Sequence, residues 1–169
     1  MITERLRPPP TADERTTLTA WLDFYRATIA LKCDGLTEEQ ARTASAAPSP
    51  LTLLGLVQHL AEVERNWLRR VLAGEDAPPI FDPEADPDGP DGGFDLSPET
   101  TLADALAIWR GEVEHGDRNA AALALDHTSP FLGGEVSLRW IYTHLIAEYA
   151  RHCGHADLIR ERIDGRAGV

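Results

Sequence analysis

Apolar residues return at helical spacing in four long stretches of the chain, and no stretch shows the strict alternation expected of a half-buried strand. After "PPPT", Leu18, Trp21, Leu22, Tyr25 and Ile29 fall on one helical face. They predict a first helix from a cap at Thr11 to about Lys32. Asp13 and Glu14 lie in its first turn, where carboxylates suit the helix dipole. Thr37 is the predicted cap of a short helical piece, "EEQART". A second helix is predicted from about Leu51 to about Leu72, striped by Leu53, Leu56, Leu60, Val63 and Trp67, with Gly74 as its stop. A third opens at "SPET", with Ser97 as cap and Pro98 in the first helical position. It continues through Leu102, Leu106, Trp109 and Val113 and ends before "DHTSP". A fourth follows Ser137, runs from Leu138 to about Ile163, and stops at Gly165.

Four such helices, each with one apolar stripe, predict an all-α fold, a four-helix bundle. A length of 169 residues suits one complete core and is cramped for two, so residues 1–169 are expected to form a single domain. Between helices two and three lies a long acidic loop, residues 75–97, too rich in Pro, Gly and Asp and too long for a tight bundle turn. Its run "EADPDGPDGGFD" offers oxygens at alternate positions, as a calcium loop does. The prolines and a closing Asp95 in place of glutamate make it a solvated acidic segment instead. "HTSPFLGGEVS", before helix four, is expected to be a second substantial loop.

A formal net charge of -12 argues against nucleic acid and against anionic membranes as partners. No apolar run approaches the roughly 20 residues that span a bilayer. The N-terminal stretch is charged and Pro-rich, unlike a secretory signal. Cys33 and Cys153 have no framework spacing, which suits a reducing cytoplasm. Only Lys32 is lysine among the 16 basic residues; with abundant Ala, Gly and Pro, this is the codon bias of a GC-rich bacterial genome.

The candidate chemistry lies in "HLIAEYARHCGH". With His144 at zero and about 100° per residue, Glu148 falls at about 40°, His152 at about 80° and His155 at about 20°. The helix's apolar residues cluster around roughly 100° on the same scale, so the four polar groups border or enter the buried face. His144 and His155 are roughly 16 Å apart along the axis, too far to share an ion. Neighbours one turn apart remain: His144 with Glu148, Glu148 with His152, or His152 with His155. Glu148 and His152 point closest to the core and present one oxygen and one nitrogen to a divalent metal. His59, on the shoulder of helix two's stripe, is the best third ligand. An intrahelical hydrogen bond or ion pair between Glu148 and His152 is the alternative. His144 and His155 are expected at the edge of a pocket, where they orient a ligand or handle a proton. His115 and His127 read as surface residues. Cys153 points about 100° away from His152 and reads as a packing cysteine.

"LTLLGLVQHLAEVERNWLRRVLAGE" and "SLRWIYTHLIAEYARHCGHADLIRERIDG" resemble the DinB-like superfamily, in its branch related to mycothiol-dependent transferases and the N-terminal domain of maleylpyruvate isomerase. The resemblance implies a four-helix bundle holding a divalent metal, zinc or nickel. A helix-two histidine would fall on His59, and a glutamate and histidine one turn apart on Glu148 and His152. It implies a metal-dependent transferase that joins a low-molecular-weight thiol, mycothiol, to a small electrophile. Pairing of two chains as a homodimer is a further implication. Two His and one carboxylate also suit iron. Hydrolysis by the same triad, or a stress-related metal- and thiol-binding protein without turnover, are the rival readings.

Overall fold

The computed structural model describes residues 5–80, 94–96 and 98–168, and in it each long helix starts where a short polar side chain can cap it. The first helix, α1 (Glu14–Cys33), begins at Asp13, whose carboxylate accepts from the Thr16 N–H; the cap predicted at Thr11 therefore moves to Asp13. Thr37 and Gln40 form a reciprocal capping box on α2 (Glu38–Ala41), as the sequence predicts. Thr52 caps α3 (Leu53–Glu64) through Gly55 N–H. The predicted start of the third long helix needs a larger correction. Helix α4 (Leu102–Ala120) is capped by Thr101 in a box with Asp104, whereas Pro98 precedes the helix and Ser97 lies outside the described residues. The acidic run at residues 84–93 lies outside them too. Helix α5 (Leu138–Asp164) matches its expectation, with Ser137 as cap and Gly165 in the left-handed conformation at its end.

A single apolar stripe was expected of helix two, but every residue of α3 is buried. It packs against α4 and α5 and touches α1, so its polar residues Gln58, His59, Glu62 and Glu64 are inside the protein. Beyond Glu64 the helix widens into a π-helical segment, Arg65–Val71, closed by a Leu72 N–H to Trp67 C=O bond of 3.0 Å. Interruptions of this kind recur at functional sites. Gly116 of α4 meets this segment so closely that a Cβ there would lie 2.5 Å from Leu68 Cδ1.

The stretch read as an irregular loop before α5 is a β-hairpin. Strands β1 (Thr128–Phe131) and β2 (Gly134–Ser137) pair antiparallel, Ser129 opposite Val136 and Phe131 opposite Gly134. Leu132 (φ 46°) and Gly133 (φ 79°) turn it; positive φ at both central residues matches the twist of the flanking strands. Four-residue strands containing Pro130 are too short for alternation to register, and a two-stranded sheet tolerates the proline because both strands are edges. Ser129 Oγ donates to the Leu72 carbonyl at 2.9 Å, and Val136 is buried, which fixes the hairpin against the end of the π-helical segment.

The described fold is thus mostly helical with one small sheet. One hydrophobic cluster draws on α1, α3, α4 and α5, from Leu22 to Ile159. No described helix is long and apolar enough to cross a membrane.

Candidate metal centre

Two rows of side chains meet across the α3–α5 contact. Helix α5 contributes Trp140, His144, Glu148 and His152, each one turn from the next. His59 comes from α3, and Trp67 from the π-helical segment that continues it. The rings of His59 and His152 stand 4.7 Å apart at 61°. Glu148 Oε2 lies 3.5 Å from His152 Nε2 and 4.0 Å from His59 Nε2. One donor atom from each of the three residues lies within 4.8 Å of the others.

These separations can be tested against an ion. Two donors each about 2.0–2.2 Å from one metal lie at most about 4.4 Å apart, and both distances from Glu148 Oε2 satisfy that limit. Two imidazole nitrogens and one carboxylate oxygen form a donor set suited to zinc, nickel or iron.

The surroundings hold each group in place. Glu148 Oε1 accepts from exposed Arg151 at 2.8 Å, which leaves Oε2 toward the histidines. Phe94 stacks on His59 at 4.2 Å and 17°. His155 Nδ1 is 3.3 Å from His152 Nδ1. Burial, reinforced by His59 and His155, pushes His152 down to about 3, so its ring is neutral at pH 7 and keeps a lone pair for a ligand. In the tautomer whose Nδ1–H donates to His155, that lone pair is on Nε2, the nitrogen nearest Glu148.

The structure brings His59, Glu148 and His152 together and sets His155 directly behind His152. His144 stands apart from the triad. Its ring stacks on Trp140 at 5.0 Å and 6° and meets Trp67 at 4.5 Å. His115, expected at the surface, is half-buried and bonded to Glu75 at 2.9 Å. The correction follows from Glu75, just past the π-helical segment, reaching His115 and Asn119 of α4, a tertiary contact that helical angles do not report. His127 is exposed. Burial pushes the thiols of Cys33 and Cys153 up to about 12, which leaves neither as a thiolate nucleophile.

Sequence reasoning missed a buried polar network behind the triad. Arg26 donates to both oxygens of Glu64, at 2.8 Å each. Tyr149 OH donates to Glu64 Oε1 at 2.6 Å and accepts from Trp109 Nε1 at 2.7 Å. Burial opposes the charge on Arg26, but Glu64 and Asp117 outweigh it and hold its pKa well above the ordinary value. The signal was present: Arg26 lies between Leu22 and Ile29 on the apolar face of helix one. A charge there calls for a buried partner, although the sequence alone does not say which.

A family model described as Mycothiol-S-transferase (MST) matches residues 17–165. The chain belongs to the mycothiol S-transferase family. The family match runs from the first turn of α1 to the C-cap of α5, so it takes in His59, Glu148, His152 and every residue of the buried network. No curated protein matches the chain.

Proposed function

We propose that this member of the mycothiol S-transferase family is a metal-dependent enzyme built on a DinB-like four-helix bundle. It transfers a low-molecular-weight thiol, mycothiol, to a small electrophile. The observation that carries the reading is Glu148 Oε2 placed 3.5 Å and 4.0 Å from two imidazole nitrogens in a largely buried site. His59, Glu148 and His152 are the three ligands. Held by these three donors, a divalent ion would supply Lewis-acid stabilisation of an incoming thiol as its thiolate, the nucleophilic form.

The chain's own residues do the rest. His155 accepts from His152 Nδ1–H and fixes which nitrogen faces the site. Arg151 holds Glu148 so that one oxygen is committed and the other presented. Phe94 covers His59 and keeps water from that side. His144, one turn from Glu148, is the imidazole placed to take the thiol proton. The sulfur then forms a bond to the electrophilic carbon, and the displaced electron pair either departs with a leaving group or, in an activated alkene, moves to the adjacent carbon, which takes up the thiol proton.

The test is metal content combined with mass-spectrometric detection of mycothiol conjugates, for the native protein and for His152→Ala. The reading expects stoichiometric divalent metal and conjugate in the first, and loss of both in the second. Undiminished conjugate formation by His152→Ala, or by chelator-stripped protein, overturns it.

A further inference from the structure

Four rings form a continuous wall whose His144 is one helical turn from Glu148 on α5. Trp67 lies 5.2 Å from Phe131 and 5.2 Å from Trp140, and His144 packs against both tryptophans. The rings come from three separate elements: the π-helical segment, strand β1 and the first turns of α5. His144 is one helical turn from Glu148, an axial offset of about 6 Å, close to the length of one aromatic ring with its substituent.

Two features set this wall apart from ordinary core packing. Trp140 keeps 48% of its surface exposed, although it touches three other rings. Trp67, by contrast, is 6% exposed, and its indole Nε1 is buried without a hydrogen-bond acceptor among the described residues. A buried indole N–H ordinarily finds a partner, as Trp109 does on Tyr149. An exposed tryptophan in ring contact at 5.2 Å with a second whose N–H is unmatched among the described residues is the complement of a flat molecule that carries an acceptor oxygen.

We propose that Trp67, Phe131, Trp140 and His144 form the subsite for the electrophilic substrate. They select a planar aromatic compound bearing a hydrogen-bond acceptor such as a sulfonyl, nitro or carbonyl oxygen. This rests on the transferase reading for what happens next, but the subsite itself is a statement about binding. The aromatic body stacks against Trp140, the acceptor oxygen takes the Trp67 N–H, and the reacting carbon is left toward Glu148 and the two histidines. A quaternary ammonium ion, the other common occupant of an aromatic cage, would meet the positive edge of the Trp67 N–H.

The experiment uses unreactive probes first. Calorimetric binding of ethyl phenyl sulfone is compared with that of ethyl methyl sulfone on the metal-loaded full chain, with tetramethylammonium as a third probe. The phenyl compound is expected to bind about tenfold more tightly than the methyl one. Trp140→Ala removes that preference; because Trp140 is half exposed, this variant keeps the fold, which circular dichroism checks. Trp67→Phe keeps a ring but lacks the N–H, and weakens both sulfones by about fivefold. Equal binding of the two sulfones, a preference that survives Trp140→Ala, or tighter binding of tetramethylammonium than of the phenyl sulfone each overturns the proposal. Turnover is then measured separately with phenyl and methyl vinyl sulfone plus mycothiol. Sulfur adds to the terminal carbon and the thiol proton ends on the carbon beside the sulfone. Conjugation that favours the phenyl compound supports the subsite. A phenyl preference in binding with no conjugate from either compound also supports it, and refutes the transferase reading instead.

Discussion

Tyr149→Phe removes one oxygen from a fully buried polar cluster. That hydroxyl donates to Glu64 Oε1 at 2.6 Å and accepts from Trp109 Nε1 at 2.7 Å, and all three residues are fully buried. Burial and the Glu64 charge raise the Tyr149 pKa well above its ordinary value, so the group is a neutral donor at any working pH. Without it, the Trp109 N–H has no acceptor, a loss of about 1–3 kcal/mol, and an ionised carboxylate loses a donor worth about 1.5–3 kcal/mol. Glu64 keeps both bonds from Arg26, so the two losses do not add in full, and we expect about 3 kcal/mol in total. In a chain of this size that lowers Tm by roughly 6–12 °C. The assay is urea denaturation followed by far-ultraviolet circular dichroism, with chelator present so that metal binding does not mask the change, and with an unchanged m-value. A double-mutant cycle sharpens it. In a Trp109→Phe background no N–H is orphaned, and the same substitution should be milder by about 1–2 kcal/mol. A loss below about 0.5 kcal/mol, or the same loss in both backgrounds, would refute the network as described.

The remaining expectations are shorter. His152, held down to about 3 from an ordinary 6.5, stays neutral in the folded state while its unfolded form gains a proton as pH falls. Its contribution is complete above pH 6.5 and declines toward pH 3, at up to about 1.4 kcal/mol per pH unit. In metal-free protein His152→Asn should remove that part of the slope in urea midpoints between about pH 7 and about pH 4; an unchanged slope contradicts it. Gly116→Ala should destabilise by about 1–3 kcal/mol, because the new Cβ would lie 2.5 Å from Leu68 Cδ1 and 2.7 Å from Leu68 Cβ. A urea midpoint equal to the native one would mean that α4 and the π-helical segment separate freely. Gln58 is 0% exposed with both amide atoms unmatched among the described residues. Gln58→Met should therefore stabilise by about 1 kcal/mol, read by thermal denaturation, and a less stable variant would show the amide to be satisfied.

Helix ends were legible wherever the cap chemistry is local. Ser137, Gly165 and Thr37 act over three or four residues, and their neighbours offer no competing cap. Thr11 and Ser97 failed for one reason: a second capping residue, Asp13 or Thr101, follows within a few positions, and the choice between them is tertiary. The hairpin escaped because "TSPF" and "GEVS" are shorter than the window in which alternation registers. At the candidate centre, helical angles place Glu148 and His152 on one buried face because both lie on one rigid helix. Which residue of α3 meets them depends on how two helices cross, and α3 being buried on all sides is likewise a property of the assembly. The Arg26–Glu64 pair, the stacking of Phe94 on His59 and the ring wall around Trp67 join residues far apart in the chain, so their partners could not be read from spacing. Only the misplaced charge of Arg26 within an apolar stripe announced any of them.

The most direct test of a thiol-binding metal triad is spectroscopic. Cobalt(II)-substituted protein is titrated with mycothiol while near-ultraviolet thiolate-to-cobalt charge-transfer absorption is recorded. Cys33 and Cys153 are not among the three donors, so the band should be absent before mycothiol is added, appear stoichiometrically with it, and be missing in His59→Ala. Cobalt that binds without any such band on mycothiol addition, or an equal band in His59→Ala, would contradict the account.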